Sequence, residues 1–168
     1  MAIKMLALRQ FEKTDEDLLV SYLNDTAQTH FLSARIPQPY TPEAARWWVE
    51  TGSKLGITRA IVSNGIFVGS IGAIPGEFEK QKTAEIGYWV ARPYWGQGIA
   101  SEALQKFTHL LFESTDLIRL YASVMEGNVA SATVLQKSGY KLEAVLQKAI
   151  YKNGSVFNEL HYSRVRDE

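Results

Sequence analysis

The stretch that most constrains the fold is a predicted strand that leads through a glycine-containing turn into a helix. Residues 86–90 are β-branched, aromatic or glycine and carry no charge, which predicts a strand. Arg92-Pro93 ends it, because proline cannot donate a hydrogen bond to a neighbouring strand. After the turn Trp95–Gly98, apolar residues recur at helical spacing. This order directs backbone N–H groups at an anion, which we interpret as the pyrophosphate of a nucleotide-bearing cofactor.

The composition limits the classes of protein to which the chain can belong. Its 168 residues, 46% of them hydrophobic, predict one folded domain that spans residues 1–168. Eighteen basic and eighteen acidic residues give a formal charge of zero, which argues against nucleic acid or an anionic membrane as a partner. The absence of cysteine excludes disulfides, thiolate metal ligands and a cysteine nucleophile.

The sequence lacks the patterns typical of membrane spans, signal peptides and metal sites. No run of about 18 apolar residues exists, and the first residues lack a signal-peptide cleavage pattern. We therefore expect a soluble, cytoplasmic protein with no membrane partner. The histidines, His30, His109 and His161, have no spacing typical of metal ligands, so no metal site is predicted.

Four helices are predicted from caps and apolar spacing. Thr14 is the expected N-cap of the first, and Thr41 with Pro42 behind it is the expected start of the second. Residues 26–40 between them are expected to be irregular, because two prolines rule out a continuous helix. The predicted helices cover approximately residues 15–23, 42–51, 99–114 and 129–137.

Strands and hairpin turns complete the predicted order. Asn64-Gly65 and Asn153-Gly154 each predict a tight hairpin turn between two strands. With the helices, the strands predict a mixed α/β fold of one sheet and flanking helices. The predicted strands are Ile3–Arg9, Ile57–Val62, Ile66–Ile74, Ile86–Val90, Leu117–Met125, Tyr140–Ile150 and Val156–Arg164.

Four segments resemble the GNAT acyl-CoA N-acyltransferases: Glu85–Val90, Trp95–Ala100, Asn128–Ser131 and Lys137–Tyr140. The branch they resemble is the RimJ/RimL type, which acetylates ribosomal-protein N-termini. The resemblance implies a mostly antiparallel central sheet flanked by helices, and acetyl-CoA as co-substrate. The family pattern at the turn is Gln/Arg-x-x-Gly-x-Gly/Ala. Gly98 and Ala100 match it, whereas Trp95 stands where Gln or Arg is usual.

The resemblance also implies how the co-substrate is bound. Asn128 is expected to hydrogen-bond the pantetheine arm, and a backbone N–H of Trp89 or Val90 is expected to face the oxyanion. The alternatives are an ordinary glycine turn that needs positive φ, and a simple N-cap role for Asn128. The residues expected to hold the pyrophosphate through backbone N–H groups are Trp95, Gly96, Gln97, Gly98, Ile99 and Ala100.

Two residues are candidates for proton transfer. Glu85 matches the position of a glutamate base in the histone-acetyltransferase branch of the family and could act through water on the incoming ammonium, although a plain charge at the start of a strand is the alternative. Glu126 and Glu143 are weaker candidates. Ser131 is expected to orient or protonate the leaving thiolate. A tyrosine is common seven residues after the Asn in the family, but this chain has Leu135 there.

The sequence thus predicts an N-acetyltransferase that acts by direct transfer, with a protein N-terminal α-amine of the ribosomal-protein type as favoured acceptor. Small amines, amino acids or aminoglycosides are the alternative acceptors. A non-catalytic acyl-CoA sensor and a dinucleotide-binding module are the other classes, and the latter is disfavoured because Gly96-x-Gly98 is followed by Ser101 rather than glycine. A homodimer is conceivable.

Overall fold

The structure is a computed structural model that describes residues 5–167. Its α-helices are α1 (Glu16–Leu23), α2 (Thr26–Thr29), α3 (Pro42–Glu50), α4 (Ile99–Ser114) and α5 (Val129–Lys137). Its strands are β1 (Leu6–Arg9), β2 (Ile57–Ser63), β3 (Ile66–Pro75), β4 (Thr83–Val90), β5 (Arg119–Met125), β6 (Lys141–Lys152) and β7 (Ser155–Val165). All predicted elements are present, although Ile3 and Lys4 of the predicted first strand lie outside the described residues.

The seven strands form a sheet in the order β1-β2-β3-β4-β5-β7-β6. β4 and β5 pair in parallel, whereas β1 with β2, β5 with β7 and β6 with β7 pair antiparallel. A parallel pair requires a crossover connection, and α4 lies in the chain between β4 and β5. The predicted mixed α/β fold with a mostly antiparallel sheet and flanking helices is confirmed.

Asn-Gly pairs set the register of two hairpins. Asn64 and Gly65 between β2 and β3 have φ of 50° and 80°, and Asn153 and Gly154 between β6 and β7 have φ of 50° and 77°. Positive φ at both central residues is what a two-residue hairpin turn of type I′ requires, and asparagine and glycine adopt it at low cost. Both predicted hairpins are therefore confirmed.

The N-terminal caps confirm one helix prediction and correct another. Thr41 Oγ1 accepts a hydrogen bond from Ala44 N at 3.2 Å, which is the predicted cap of α3. Thr14, predicted to cap the first helix, lies instead within a 3₁₀ turn, Lys13–Asp15. The reason is tertiary: Arg9 binds both carboxylate oxygens of Asp15 at 2.7 and 2.8 Å and fixes this turn ahead of α1.

The segment expected to be irregular contains a short helix. Asp25 Oδ1 accepts a hydrogen bond from Ala27 N at 3.1 Å and starts the four-residue α2. The prolines that argued against a helix begin only at Pro37, so α2 lies ahead of them. The prediction that no helix occurs in residues 26–40 is thus wrong for its first four residues.

Two compact units make up the described chain, and β3 and β4 contribute residues to both. The first unit comprises the residues up to Gly72 together with Tyr88–Ala103. The second comprises Ala73–Gly87 together with the residues from Leu104 onward. Within residues 5–167, no helix combines the length and the apolar character needed to cross a bilayer.

Each unit buries its own apolar side chains. In the first, the core residues are Phe11, Leu19, Leu23, Tyr40, Ala45, Val49, Ala60 and Phe67. In the second, the fully buried large side chains are Leu104, Phe107, Leu111, Leu120 and Leu135. At about 25 cal/mol per Å² of apolar surface removed from water, these side chains provide most of the driving force for folding.

Candidate active site

The turn between β4 and α4 is closed by a tryptophan side chain. After β4, Arg92–Tyr94 form a 3₁₀ turn, and the indole N–H of Trp95 then donates a hydrogen bond to the carbonyl of Val90 at 2.6 Å. The Trp95 ring is still half exposed. The residue that departs from the family pattern thus ties the turn back to the end of the strand.

The glycines of this turn, Trp95–Gly98, adopt conformations that disfavour other residues. Gly96 and Gly98 have φ of +71° and +75°. An added Cβ at either position would meet no atom within 4 Å, so open space borders the backbone there. Two explanations for glycine fit these positions: the turn needs positive φ, and a ligand can approach a backbone that carries no side chain.

The start of α4 is anchored by one buried side chain. Ile99 is fully buried, and the first backbone bond of the helix runs from Glu102 N to the Gly98 carbonyl at 3.1 Å. The N–H groups of Ile99 and Ala100 therefore have no acceptor within the helix. A glycine turn that leads into such a helix start is a site where backbone N–H groups bind phosphate oxygens, so these residues fit a pyrophosphate.

The 3₁₀ turn that follows β4 is held by the segment around α2. The Arg92 guanidinium contacts the Asp25 carboxylate at 2.8 Å, and the Arg92 backbone N–H donates to Gln28 Oε1 at 3.1 Å. Gln28 is buried, and its Nε2 has no partner among residues 5–167. The sequence carried no signal for this glutamine, because an amide in a polar segment is normally exposed.

The two strand-end residues expected to face the oxyanion pack as side chains in the first unit. The Trp89 ring lies edge-on to Phe67 at 6.0 Å and to Tyr22 at 6.3 Å between centroids. Val90 is buried. Burial, followed by the neighbouring Tyr94, raises the pKa of Tyr22 to about 12, so its phenol stays neutral. The role of the backbone N–H groups at Trp89 and Val90 stays a prediction.

Asn128 is the N-cap of α5. Its Oδ1 accepts a hydrogen bond from Ser131 N at 3.2 Å, and this bond does not use the Nδ2 group. The alternative role of Asn128 as a helix N-cap is thus confirmed. The cap bond leaves the Nδ2 amide group available as a donor to a ligand. Ser131 lies half-buried in the first turn of α5.

Two positions at which the family pattern allowed a phenol belong to the core of the second unit. Leu135 is fully buried, so no acid can act from that position. Tyr140 is also buried, and its hydroxyl bonds Thr108 Oγ1 at 2.8 Å. Burial raises the pKa of Tyr140 to about 12. Tyr140 is therefore a structural residue.

Glu85 is a half-buried residue of β4. Its Cα partner in the parallel pairing is Tyr121 of β5. Burial raises the pKa of the Tyr121 phenol, and the negative charge of Glu85 raises it further. The carboxylate and the phenol therefore lie close enough to interact, on the same side of the sheet.

Alternate residues of a strand lie on the same side of a sheet. On the side that carries Glu85 they form a polar sheet face, made of Glu85, Tyr121, Ser123, Glu159 and His161. Ser123 is the Cα partner of His161, and its hydroxyl donates to Glu159 Oε1 at 2.8 Å. The ring of Tyr121 stacks on that of His161, with centroids 5.0 Å apart. Glu159 and His161 were missed from the sequence. The available signal was their alternation with the apolar Leu160 and Tyr162.

The two weaker carboxylate candidates have other environments. Glu126 is exposed in the turn before α5, where its backbone N–H donates to the Asn158 carbonyl at 3.0 Å. Arg119 binds both carboxylate oxygens of Glu143, and this pairing is the main reason that the pKa of Glu143 falls to about 2. A carboxylate held in this way is a poor base.

Two further features of residues 5–167 bear on ligand binding. No group of three or more His, Asp or Glu side chains between residues 5 and 167 has an arrangement that could hold a metal ion. An open groove of about 940 Å³ lies in the second unit beside Lys137, Glu143 and Arg166. Of the candidate residues, only the weaker base candidate Glu143 lines it.

Comparison with known proteins identifies the family. Residues 5–141 match the family described as the acetyltransferase (GNAT) domain. The chain is 33% identical over 123 residues to the uncharacterized N-acetyltransferase YoaA of Bacillus subtilis, which covers 73% of this chain and 68% of that protein. It is 37% identical over 86 residues to a ribosomal-protein-serine acetyltransferase of Escherichia coli, which covers 51% of this chain and 48% of that protein.

A solved structure agrees with this match. RimL, a ribosomal L7/L12 alpha-N-protein acetyltransferase crystallised in complex with coenzyme A, has a TM-score of 0.83 to this chain at 23% identity, covering 95% of this chain and 93% of that one. This likeness shows the fold. Together with the family match it confirms the prediction made from the four motif segments. The chain therefore belongs to the GNAT acetyltransferase family, as an acetyl-CoA-dependent N-acetyltransferase.

Proposed function

We propose that this N-acetyltransferase modifies the N-terminal α-amine of a protein, of the ribosomal-protein type. The observation that carries the acceptor class is the 37% identity, over 86 residues, to a relative named a ribosomal-protein-serine acetyltransferase. An α-amino group, with a pKa of about 7.7–8.0, loses its proton far more readily than a lysine at about 10.4. A half-buried carboxylate with a polar neighbourhood, such as Glu85 has, is in keeping with this acceptor.

The proposed binding residues act mainly through their backbone. Bound acetyl-CoA supplies an acetyl thioester and a thiol leaving group. The backbone N–H groups of Trp95–Ala100 hold the pyrophosphate, because the positive φ of Gly96 and Gly98 and the start of α4 turn N–H groups toward open space. Asn128 donates from Nδ2 to an amide oxygen of the pantetheine arm. A backbone N–H of Trp89 or Val90 binds the acetyl oxygen.

The proposed proton-transfer residues are Glu85 and Ser131. Glu85 receives the acceptor ammonium and acts on it through water, because the nitrogen must lose a proton before its lone pair can attack. Ser131 orients the leaving sulfur or gives it a proton, and the Asn128 cap fixes the turn that carries Ser131. These roles follow the family resemblance, and their support in the structure is the half-burial of both side chains.

A panel of acceptors tests the proposed substrate class. The protein is incubated with acetyl-CoA and with peptides that begin with a free Ser, Ala or Thr, and the site of acetylation is located by fragment mass spectrometry. The same peptides with a blocked N-terminus and an internal lysine are the matched control, alongside polyamines, amino acids and aminoglycosides. We expect acetylation at the free α-amine and none on the blocked peptides. Turnover of small amines alone would overturn the acceptor class.

A carboxylate variant tests the role of Glu85. Glu85→Gln is expected to lower kcat by about 10²-fold or more while acetyl-CoA affinity stays within about twofold. Glu79→Gln, at an exposed carboxylate of the 3₁₀ turn Phe78–Lys80, is the matched control and should keep wild-type kcat. Full activity of Glu85→Gln would exclude a proton-transfer role. No turnover by the wild type on any acceptor, with intact acetyl-CoA binding, would favour an acyl-CoA sensor.

A further inference from the structure

His161 on β7 is held in place by its neighbours on the polar sheet face. Its ring stacks on Tyr121 with an angle of 13° between the planes. Glu159 Oε1 lies 3.7 Å from His161 Nδ1, and the same oxygen accepts the hydrogen bond from Ser123 at 2.8 Å. The plane of the ring is thus set by Tyr121, and a carboxylate faces one nitrogen. Nε2 is left as the atom that can exchange a proton with a substrate or water.

Solvent reaches this pair. The side chains of His161 and Glu159 are 23% and 18% exposed, which is enough contact for a water-mediated transfer. The alternate residues of the same strand segments, Leu120, Ala122 and Tyr162, are buried in the core. These three residues thus face the core on one side of the sheet, and His161 and Glu159 lie on the other side.

The charged side chains on this part of the sheet are contributed by β4, β5, β6 and β7. Arg119 of β5 and Glu143 of β6 pair with one another and leave no net charge. Burial, and then Glu85, raise the pKa of Tyr121, which stays a neutral phenol. The carboxylates that remain are Glu85 on β4 and Glu159 on β7. A positive charge that forms on the imidazole would be stabilised by Glu159, whose Oε1 lies 3.7 Å from Nδ1.

Taking these contacts together, we propose that His161 accepts the proton of the acceptor ammonium, and that Glu159 is the positioning residue that holds the imidazole ready. The N–H bond of the ammonium breaks, and a new N–H bond forms at His161 Nε2 through water in contact with Glu85. The amine keeps the electron pair with which it attacks the acetyl carbon. The imidazolium is balanced by Glu159 and returns its proton to solvent after product release.

The chemistry of the two groups explains why a histidine suits this step better than a carboxylate alone. Transfer is most efficient between groups of similar proton affinity, and imidazole is the side chain that changes charge near neutral pH. An ordinary carboxylate is some three to four pH units more acidic than an α-ammonium. Glu85 then holds the ammonium and the water that relays its proton, and His161 stores the proton. The inference rests on the proposed function of Glu85 at the acceptor amine.

The pH dependence of kcat/KM for the acceptor tests His161 directly. His161→Gln is expected to lower kcat/KM by about 10²-fold and to remove the acidic limb of the profile, with acetyl-CoA affinity within about twofold of wild type. Glu159→Gln is expected to cost about tenfold, as loss of a partner that orients an imidazole does, and to keep the acidic limb, because His161 is still present. His109→Gln, at an exposed histidine of α4, is the matched control and keeps the wild-type profile.

A rescue experiment separates chemistry from structure. His161→Ala with added imidazole is expected to recover activity in proportion to the concentration of neutral imidazole, which a merely structural role would not produce. Wild-type turnover together with an unchanged profile in His161→Gln overturns this inference alone. Absence of wild-type turnover on every acceptor overturns the proposed function and this inference with it.

Discussion

The glycine turn Trp95–Gly98 and the polar sheet face differ in the distance along the chain over which they are assembled. The turn is built within a few residues: Trp95 bonds the carbonyl of Val90, and the glycines that follow supply positive φ. The polar sheet face joins residues 85, 121, 123, 159 and 161, which meet only when three strands pair in register. The sequence motifs therefore indicated the glycine turn but only Glu85 of the polar sheet face.

The two regions also differ in whether backbone groups or side chains supply the chemistry. A backbone site needs only a conformation, so many side chains can occupy the non-glycine positions of the turn, and a tryptophan can stand where the family has Gln or Arg. A proton-transfer site needs particular side chains, but they can come from any strand that reaches the place. We expect substitutions in the two regions to separate co-substrate binding from proton transfer.

The largest effect is expected at Gly98. Gly98→Ala forces a Cβ into the left-handed region and into the space beside the helix start, and it should weaken acetyl-CoA binding by about tenfold or more and lower the free energy of unfolding by about 1–2 kcal/mol. Gly65→Ala is the matched control, because Gly65 has φ of +80° and equally open surroundings. Calorimetric titration should show lost affinity only for Gly98→Ala. Equal affinity in both variants would contradict the proposed role of the turn.

A medium effect is expected at the buried hydroxyl pair of the second unit. Tyr140→Phe leaves the Thr108 hydroxyl without its partner, bonded at 2.8 Å in the wild type, and should cost about 1–2 kcal/mol in the free energy of unfolding. The double variant with Thr108→Val should recover part of this loss, because no buried polar group then remains unpaired. Denaturant unfolding measures both. Tyr151→Phe, at an exposed phenol, is the control. Acetyl-CoA affinity should not change.

The smallest effect is expected at the ion pair that spans β7. The pKa of Glu143 falls to about 2 in the folded protein, below the unfolded value of about 4.3, so the pair stabilises the fold above the unfolded value and loses this contribution as the pH falls toward 2. Wild type should exceed Glu143→Gln by less than about 1 kcal/mol near neutral pH, since the pair is partly exposed. Denaturant unfolding from neutral to acidic pH should show the difference shrinking. A difference independent of pH would show that the ion pair is not its cause.

Local rules account for most of the fold that could be predicted. The cap at Thr41 and the Asn-Gly turns contain their own structural signals, and α3 and the hairpins follow from them. The predictions failed at two places, once through a tertiary contact and once at a local cap. Arg9 holds Asp15 in a turn ahead of α1, and Asp25 starts α2 in a segment that local composition marked as irregular.

The candidate site divides in the same way. The glycine turn and the helix start were predicted, and the Asn128 cap was the alternative role given for that residue. Each depends on residues at most five positions apart. Burial decided two positions that the family pattern left open: Leu135 and Tyr140 lie in the core. Gln28, Glu159 and His161 had no local signal strong enough to single them out.

The sequence by itself determined the family, the order of the elements and the backbone conformation of the turn that precedes α4. These depend on glycine, proline and cap residues, whose preferences act over a few bonds. Only the tertiary structure decided that Glu159 and His161 lie beside Tyr121 and Ser123 on the side of the sheet that carries Glu85. Strand pairing makes neighbours of residues that are 36 to 40 positions apart in the chain, such as Ser123 and Glu159 or Tyr121 and His161. The register of that pairing depends on the burial of the alternate apolar residues.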